Sequence, residues 1–243
     1  MKLASWNVNS LNIRLPRLLD WLAANAPDVV CLQETKLEDS KFPVDPLQGA
    51  GYAAHFTGQK SYNGVALLVR NDLDARDVTH GIEGFVDEQK RVIAATIAGL
   101  RIVCVYVPNG QAVGSDKYRY KLDWCAALAA HLRAALVRHP ELAIAGDFNV
   151  APDDRDVHDP VLWDGQIHCS APERAAFREL LAAGGCRRLP TVRAAADDVQ
   201  LVGLPAARVP EESRPADRPR AAVAAPRAAL HGKPHRPQRA QRR

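Results

Sequence analysis

Leu3-Ala4-Ser5-Trp6-Asn7-Val8 and Asp28-Val29-Val30-Cys31-Leu32-Gln33 are two strand-like runs, and between them Leu15, Leu18, Leu19 and Leu22 recur at helical spacing over Arg14 to Ala26. The second run is almost continuously apolar, as a strand covered on both faces must be. Working outward, Gly64 to Arg70, Arg91 to Ile97 and Arg101 to Tyr106 read as further strands, the last two joined as a hairpin through Ala98-Gly99-Leu100. Lys117 to Arg138 is a long amphipathic helix, Leu142 to Ala145 a buried strand, and Pro172 to Ala183 opens as a helix with Pro and Glu in its first turn. Hairpins mixed with helical crossovers predict an α/β fold on mixed sheets, and no repeat of domain-building length interrupts the pattern.

The composition sets limits on function. With 243 residues, 47% apolar and 25% charged, the chain can bury a sizeable core. It holds no apolar run of about 18 residues, and Met1-Lys2 leads straight into a strand pattern, so the expectation is a cytoplasmic protein with no membrane partner. Five cysteines (Cys31, Cys104, Cys125, Cys169, Cys186) without a Cys-x-x-Cys pair give neither a disulfide framework nor a zinc ribbon and read as reduced, buried thiols. The net charge of +4 conceals an asymmetry. Residues 1–185 carry 19 Lys+Arg against 23 Asp+Glu, and residues 186–243 carry 13 against 5. All 14 aromatic residues precede the cut, whereas 8 of the 17 prolines follow it, so the tail has little from which to build a core and is expected to be disordered.

Polar residues collect just past the strand ends: Asn7 and Asn9, Glu34 and Lys36, Tyr106 and Asn109, then Asp147 and Asn149 in Gly146-Asp147-Phe148-Asn149. One Asn or Asp after a strand is ordinary turn chemistry, but four coincidences at four strand ends describe a site on an α/β scaffold. Glu34 and Asp147 offer hard oxygen ligands, and Asn7 and Asn149 offer neutral amides. No His or Cys is spaced with them as a zinc ligand, which points to Mg²⁺ or Mn²⁺ held by one or two carboxylates and water. Such a metal polarises a phosphoryl oxygen while a carboxylate orients the attacking water, so phosphoester hydrolysis is the predicted reaction.

Five segments occur in order: Trp6-Asn7-Val8-Asn9-Ser10, Leu32-Gln33-Glu34-Thr35-Lys36, Tyr62-Asn63-Gly64-Val65-Ala66, Tyr106-Val107-Pro108-Asn109-Gly110 and Gly146-Asp147-Phe148-Asn149-Val150-Ala151-Pro152. Together they resemble the bacterial exonuclease III family of apurinic/apyrimidinic endonucleases, within the endonuclease/exonuclease/phosphatase superfamily, over residues 1 to about 185. The resemblance implies a four-layer α-β-β-α sandwich of two mixed sheets. It implies a monomer acting on double-stranded DNA with abasic sites or 3′ ends, incising 5′ to the lesion and removing nucleotides 3′ to 5′. By position it implies that Glu34 binds Mg²⁺ and Asn7 supports it, Asp147 positions the nucleophilic water, Asn149 holds the phosphate and Tyr106 hydrogen-bonds it. Arg91, Asn109 and Lys121 are weaker candidates for substrate contacts. Two rival readings share parts of this set: a superfamily phosphoesterase acting on small phosphoesters, and a catalytically inactive DNA-binding protein using the basic tail.

The family pattern should continue beyond residue 185 with Val-Asp-x-Phe-Arg, Ser-Trp-Trp-Asp-Tyr-Arg, Arg-Gly-Leu-Arg-Ile-Asp and Ser-Asp-His-x-Pro segments, and none is present. Codons chosen for the observed residues and read one nucleotide later do permit them. Cys186 to Pro190 permits Val-Asp-Ala-Phe-Arg, and Gln200 to Pro205 permits Ser-Trp-Trp-Asp-Tyr-Arg. Glu211 to Pro219 permits Lys-Asn-Arg-Gly-Leu-Arg-Ile-Asp-His, and Pro234 to Pro237 permits Pro-Thr-Asp-His. The chain thus reads as an incomplete nuclease domain over 1–185 and an out-of-frame tail over 186–243, with C-terminal strands missing or disordered. Arg218, Arg236 and Pro237 stand where the family's acidic and Asp-His residues belong, so an unstable, impaired enzyme is expected. Resequencing the gene at the codons for Gly184 and Gly185 is expected to show a one-nucleotide slip; an intact frame there makes the tail a genuine feature.

Overall fold

β2 (Val29–Gln33) is buried along its whole length, which requires cover on both faces of its sheet. The computed structural model, which describes residues 1–183, 191–193 and 199–202, supplies that cover from two directions. Val30 and Leu32, with Ala4 and Trp6 of β1 (Leu3–Asn7), pack under Leu18, Trp21 and Leu22 of α1 (Leu11–Asn25). Val29 and Cys31 alternate to the other face and meet a second sheet, where Ile93, Ala95, Ile102, Cys104, Ala143 and Ala145 close the central layer. Two further helices, α2 (Val44–Gly49) and α4 (Pro160–Trp163), are short; α3 (Asp116–Arg138) and α5 (Ala171–Ala183) cover the outer face of that second sheet, with Trp124, Leu128, Leu132 and Leu180 against Val103 and Val105. Each fully buried large apolar side chain contributes roughly 1.5–3 kcal/mol, so three continuous apolar layers hold the four-layer sandwich that the sequence implies.

The first sheet runs β3-β4-β2-β1-β10-β9, with β3 at Tyr52–Thr57, β4 at Val65–Arg70, β9 at Thr191–Arg193 and β10 at Val199–Val202. The second runs β5-β6-β7-β8: Ala75–His80, Val92–Ile97, Leu100–Tyr106 and Leu142–Asp147. Within each sheet one pair is parallel, β1 with β2 and β7 with β8, and the remaining pairs are antiparallel. Parallel pairing puts the carboxyl ends of both partners on the same side, with Asn7 opposite Gln33 and Tyr106 opposite Asp147. The approach of β8 to β7 depends on Gly146: at φ +148°, a Cβ there would lie 1.9 Å from the Val105 carbonyl oxygen.

Several elements differ from the sequence reading for local reasons. α1 begins at Leu11, ahead of Arg14, because the amides of Ser10 and Leu11 donate to the carbonyls of Glu34 and Thr35 and so tie the helix entry to the end of β2. β3 and β5 were not legible; both are sheet edges, and β5 carries Arg76-Asp77 and a register shift between Arg76 and Thr79. Where C-terminal strands are expected to be missing or disordered, β10 runs antiparallel to β1, with Leu3 opposite Val202 and Trp6 opposite Val199, and β9 follows it. Edge pairing draws on backbone groups, and Val199-Gln200-Leu201-Val202 is apolar enough to occupy that edge. The rest of the expected out-of-frame tail, including Cys186, Arg218, Arg236 and Pro237, lies outside the described residues. Cys31, Cys104, Cys125 and Cys169 are buried free thiols, as the sequence predicts. Among the described residues no helix is long and apolar enough to cross a membrane.

Candidate active site

The chain turns sharply after β2. Glu34 and Lys36 both adopt left-handed φ values, 54° and 55°, a conformation that costs a non-glycine residue on the order of 1–3 kcal/mol. Neighbouring backbone holds it: the amides of Thr35 and Lys36 donate to the carbonyls of Gly64 and Asn63. Gly64 is required for that approach, since a Cβ there would stand 2.1 Å from Thr35 Oγ1.

This turn places the Glu34 carboxylate among groups from both sheets. Asn7 Nδ2, from the end of β1, donates to Glu34 Oε1 and to Asp147 Oδ2, each at 2.8 Å. The Asn7 carbonyl accepts from the Asn9 amide at 3.0 Å, which settles the orientation of the side chain. Tyr106 OH donates to Glu34 Oε1 at 2.9 Å, and Lys36 Nζ lies 2.9 Å from Glu34 Oε2. On the other side, the Asn149 amide donates to Asp147 Oδ1 at 2.9 Å, while Asn149 Nδ2 donates to the Val107 carbonyl at 2.9 Å. One amide therefore joins two carboxylates carried by different sheets.

The electrostatics follow from these contacts. Burial pushes the Glu34 carboxyl up, but hydrogen bonds from Asn7, Lys36 and Tyr106, with the Lys36 charge, bring it below the usual glutamate value. The Tyr106 phenol is driven well above its ordinary value by burial and by the adjacent Glu34 charge, so it stays protonated and acts as a hydrogen-bond donor.

The chain is similar to proteins already known. The profile of the Endonuclease/Exonuclease/phosphatase family matches residues 4–222. The chain belongs to that family. An exodeoxyribonuclease of Bacillus subtilis is 30% identical over 186 residues, covering 76% of this chain and 72% of the relative. A Neisseria protein, solved as a 3′-5′ exonuclease and, bound to a product DNA hairpin, as a 3′ phosphatase, is 47% identical with a TM-score of 0.73, covering 75% of this chain and 71% of that one. An AP endonuclease from Archaeoglobus fulgidus is 31% identical with a TM-score of 0.71, covering 83% of this chain and 86% of its own. The chain spans 60% to 72% of the lengths of the curated relatives it matches.

Within this endonuclease/exonuclease/phosphatase fold the expected residues divide into two groups. Asn7, Glu34, Tyr106, Asp147 and Asn149 are brought together. Asn109 stands at their rim, its Nδ2 3.5 Å from Asn149 Oδ1 and 3.3 Å from His168 Nε2. Arg91 sits behind them: it stacks over the Tyr106 ring at 4.8 Å, and its guanidinium donates to Gln89 Oε1 and the Tyr106 carbonyl. Lys121 corrects the sequence reading, because its side chain is only 2% exposed and its Nζ bonds Glu173 and two backbone carbonyls, with no N–H left for a phosphate. Asn7, named with Glu34 as a metal residue, spends both ends of its amide on protein groups and so supports the carboxylates instead of offering its oxygen.

Sequence reasoning assigned no role to three side chains at or behind the site. Lys36 was legible beside Glu34, but its pairing needs the two left-handed residues. His168 Nδ1 lies 2.6 Å from the Asn149 carbonyl oxygen, with no local signal to mark it, and Glu173, legible as a first-turn acidic residue, is the buried partner of Lys121, a pairing that its helix-start position does not reveal.

The donor set fits a hard divalent cation. Among the described residues no group of three His, Cys, Asp or Glu could cage a metal, but Mg²⁺ requires only one or two carboxylates and keeps its waters. The Lys36 ammonium on Glu34 Oε2 already places a cation at the same carboxylate. Because the folded state lowers the Glu34 pKa, its carboxylate stabilises the fold above the usual glutamate value, and this contribution is lost as pH falls through the lowered one. In urea unfolding followed from about pH 7 to about pH 3, Glu34→Gln is expected to be less stable than the parent near neutrality, with the gap narrowing toward acid. A gap independent of pH contradicts the assignment.

Proposed function

We propose that the chain is an exodeoxyribonuclease III-type DNA repair phosphodiesterase. It acts on double-stranded DNA at 3′ ends and 5′ to abasic sites, and its turnover is reduced in this sequence. The observation that carries the proposal is the Asn7 amide joining Glu34 to Asp147 with Tyr106 on the same Glu34 oxygen. The Neisseria structure with product DNA supports action at 3′ ends, including removal of a 3′ phosphate, and the archaeal AP endonuclease supports the abasic reading.

Glu34, with Asp147 beside it, would hold Mg²⁺ or Mn²⁺, which when bound supplies charge stabilisation at the phosphoryl oxygens and the leaving oxygen. Among the described residues each Asp147 oxygen accepts one hydrogen bond, which fixes the carboxylate plane and leaves a lone pair to orient a water for attack. Tyr106 donates its phenolic proton as a hydrogen bond, and Arg91 stacked on its ring fixes the ring's position. Asn149 has one side-chain N–H left for a phosphate oxygen, and Asn109 beside it orients that amide through Asn149 Oδ1. With Asp+Glu exceeding Lys+Arg over residues 1–185, DNA binding draws on this local constellation and not on a general positive field.

Reduced turnover rests on the sequence: Arg218, Arg236 and Pro237 stand where the family pattern has an acidic residue and an Asp-His pair, and none of the three can share a proton in those roles. A missing general acid/base costs about 10² to 10⁴ in rate.

The test uses the purified full chain with Mg²⁺ on a DNA hairpin ending in a 3′ phosphate and on a duplex carrying an abasic-site analogue. Expected are phosphate release and incision that need Mg²⁺, vanish with a chelator or in Asp147→Asn, and run about 10² to 10⁴ below a full-length family member. Turnover near the full-length rate refutes impairment. Hairpin binding without any Mg²⁺-dependent product supports the inactive DNA-binding reading, and faster hydrolysis of a small phosphoester than of DNA refutes the nuclease assignment.

A further inference from the structure

Behind the site lies a buried charge that the hydrolytic chemistry does not use. Lys121 on α3 is 2% exposed and Glu173 on α5 is 0% exposed, with Nζ 2.5 Å from Oε1. An ammonium carries three N–H groups, and here all three have acceptors: Glu173, the Asn109 carbonyl at 3.2 Å and the Asn149 carbonyl at 2.6 Å. Those two carbonyls belong to different loops, one following β7 and the other β8. Glu173 is fixed in turn: its Oε2 accepts from Ser170 Oγ at 2.6 Å and from the Ser170 amide at 3.3 Å, the carboxylate reaching back over the start of α5. Since Ser170 gives its proton to Glu173, the Tyr118 hydroxyl 2.7 Å away donates to Ser170, linking the start of α5 back to α3. Gly110, at φ +91°, makes room for the lysine stem, because a Cβ there would lie 3.0 Å from Lys121 Cδ.

We propose that Lys121, anchored by Glu173, is a positioning residue: one ammonium ties the Asn109 loop to the Asn149 loop and so fixes Asn149 and, through its amide, the Asp147 carboxylate. A buried ion pair adds little net stability, because desolvation offsets the attraction, so packing alone does not account for a lysine here. A leucine or methionine could fill the space, but neither could donate to two carbonyls on separate loops. The proposal rests on the reading of Asp147 and Asn149 as site residues.

The double variant Lys121→Met with Glu173→Gln removes both charges at nearly constant volume and leaves no unpaired buried ion. In hydrogen exchange followed by mass spectrometry on the full chain, exchange over residues 107–112 and 147–151 is expected to rise together by about tenfold, with β1 and β2 unchanged. Binding to a 3′-phosphate DNA hairpin is expected to keep its salt dependence, whereas a lost phosphate contact would lower the slope by about one. Unchanged exchange in the two loops, exchange rising equally in β1 and β2, or a lowered salt slope overturns the proposal. A parent chain that does not bind the hairpin refutes the DNA reading, and the exchange measurement then decides the clamp alone.

Discussion

The site depends on a single side-chain amide. Asn7 donates from one NH₂ group to Glu34 on its own sheet and to Asp147 on the other, and this bridge joins two carboxylates from facing sheets into one centre. Two carboxylates brought together repel each other unless donors or a cation lie between them. Asn7, Tyr106 and Lys36 on Glu34, and Asn7 and the Asn149 backbone on Asp147, supply those donors. The rest of the architecture holds the bridge at the right separation. The central apolar layer from Leu3, Val29 and Cys31 to Cys104 and Ala145 sets the distance between the sheets, and the parallel pairs β1–β2 and β7–β8 put all four strand ends on one side.

Local geometry at the site runs against ordinary backbone preference. Glu34, Lys36 and Asn149 all take left-handed φ values, and Gly64 and Gly146 allow approaches that any side chain would block. The sandwich offsets that cost because its apolar layers are continuous. Behind the candidate site, Lys121 and Glu173 bury a charge pair away from solvent, and the ammonium bonds the Asn109 and Asn149 carbonyls of two loops.

The core strands and the strand-end carboxylates were legible in the sequence because a fully buried strand is a sharp apolar run, and polar residues at its end stand out. Val29-Val30-Cys31-Leu32 followed by Glu34 is of this kind, and Ala143-Ile144-Ala145 followed by Asp147 makes a similar apolar run although Ile144 is only half-buried. β3 and β5 were not legible because their partly exposed positions carry His55, Arg76 and Asp77, which break the apolar run. The role of Lys121 was misread because a lysine on an amphipathic helix looks the same whether it reaches solvent or a buried glutamate 52 positions away. Asn7 stood out as a polar residue at a strand end, but whether its amide faces a metal or two carboxylates depends on tertiary contacts that no local pattern encodes.

The most direct test of the bridged carboxylates is anomalous diffraction from crystals of the chain soaked in Mn²⁺. A single manganese peak is expected in direct bonding distance of Glu34, with Asp147 close enough to share its water shell and the Asn7 amide still between the two. A peak elsewhere with none beside Glu34, or Glu34 and Asp147 found on separate surfaces with Asn7 joined to only one of them, would contradict the assignment of this centre.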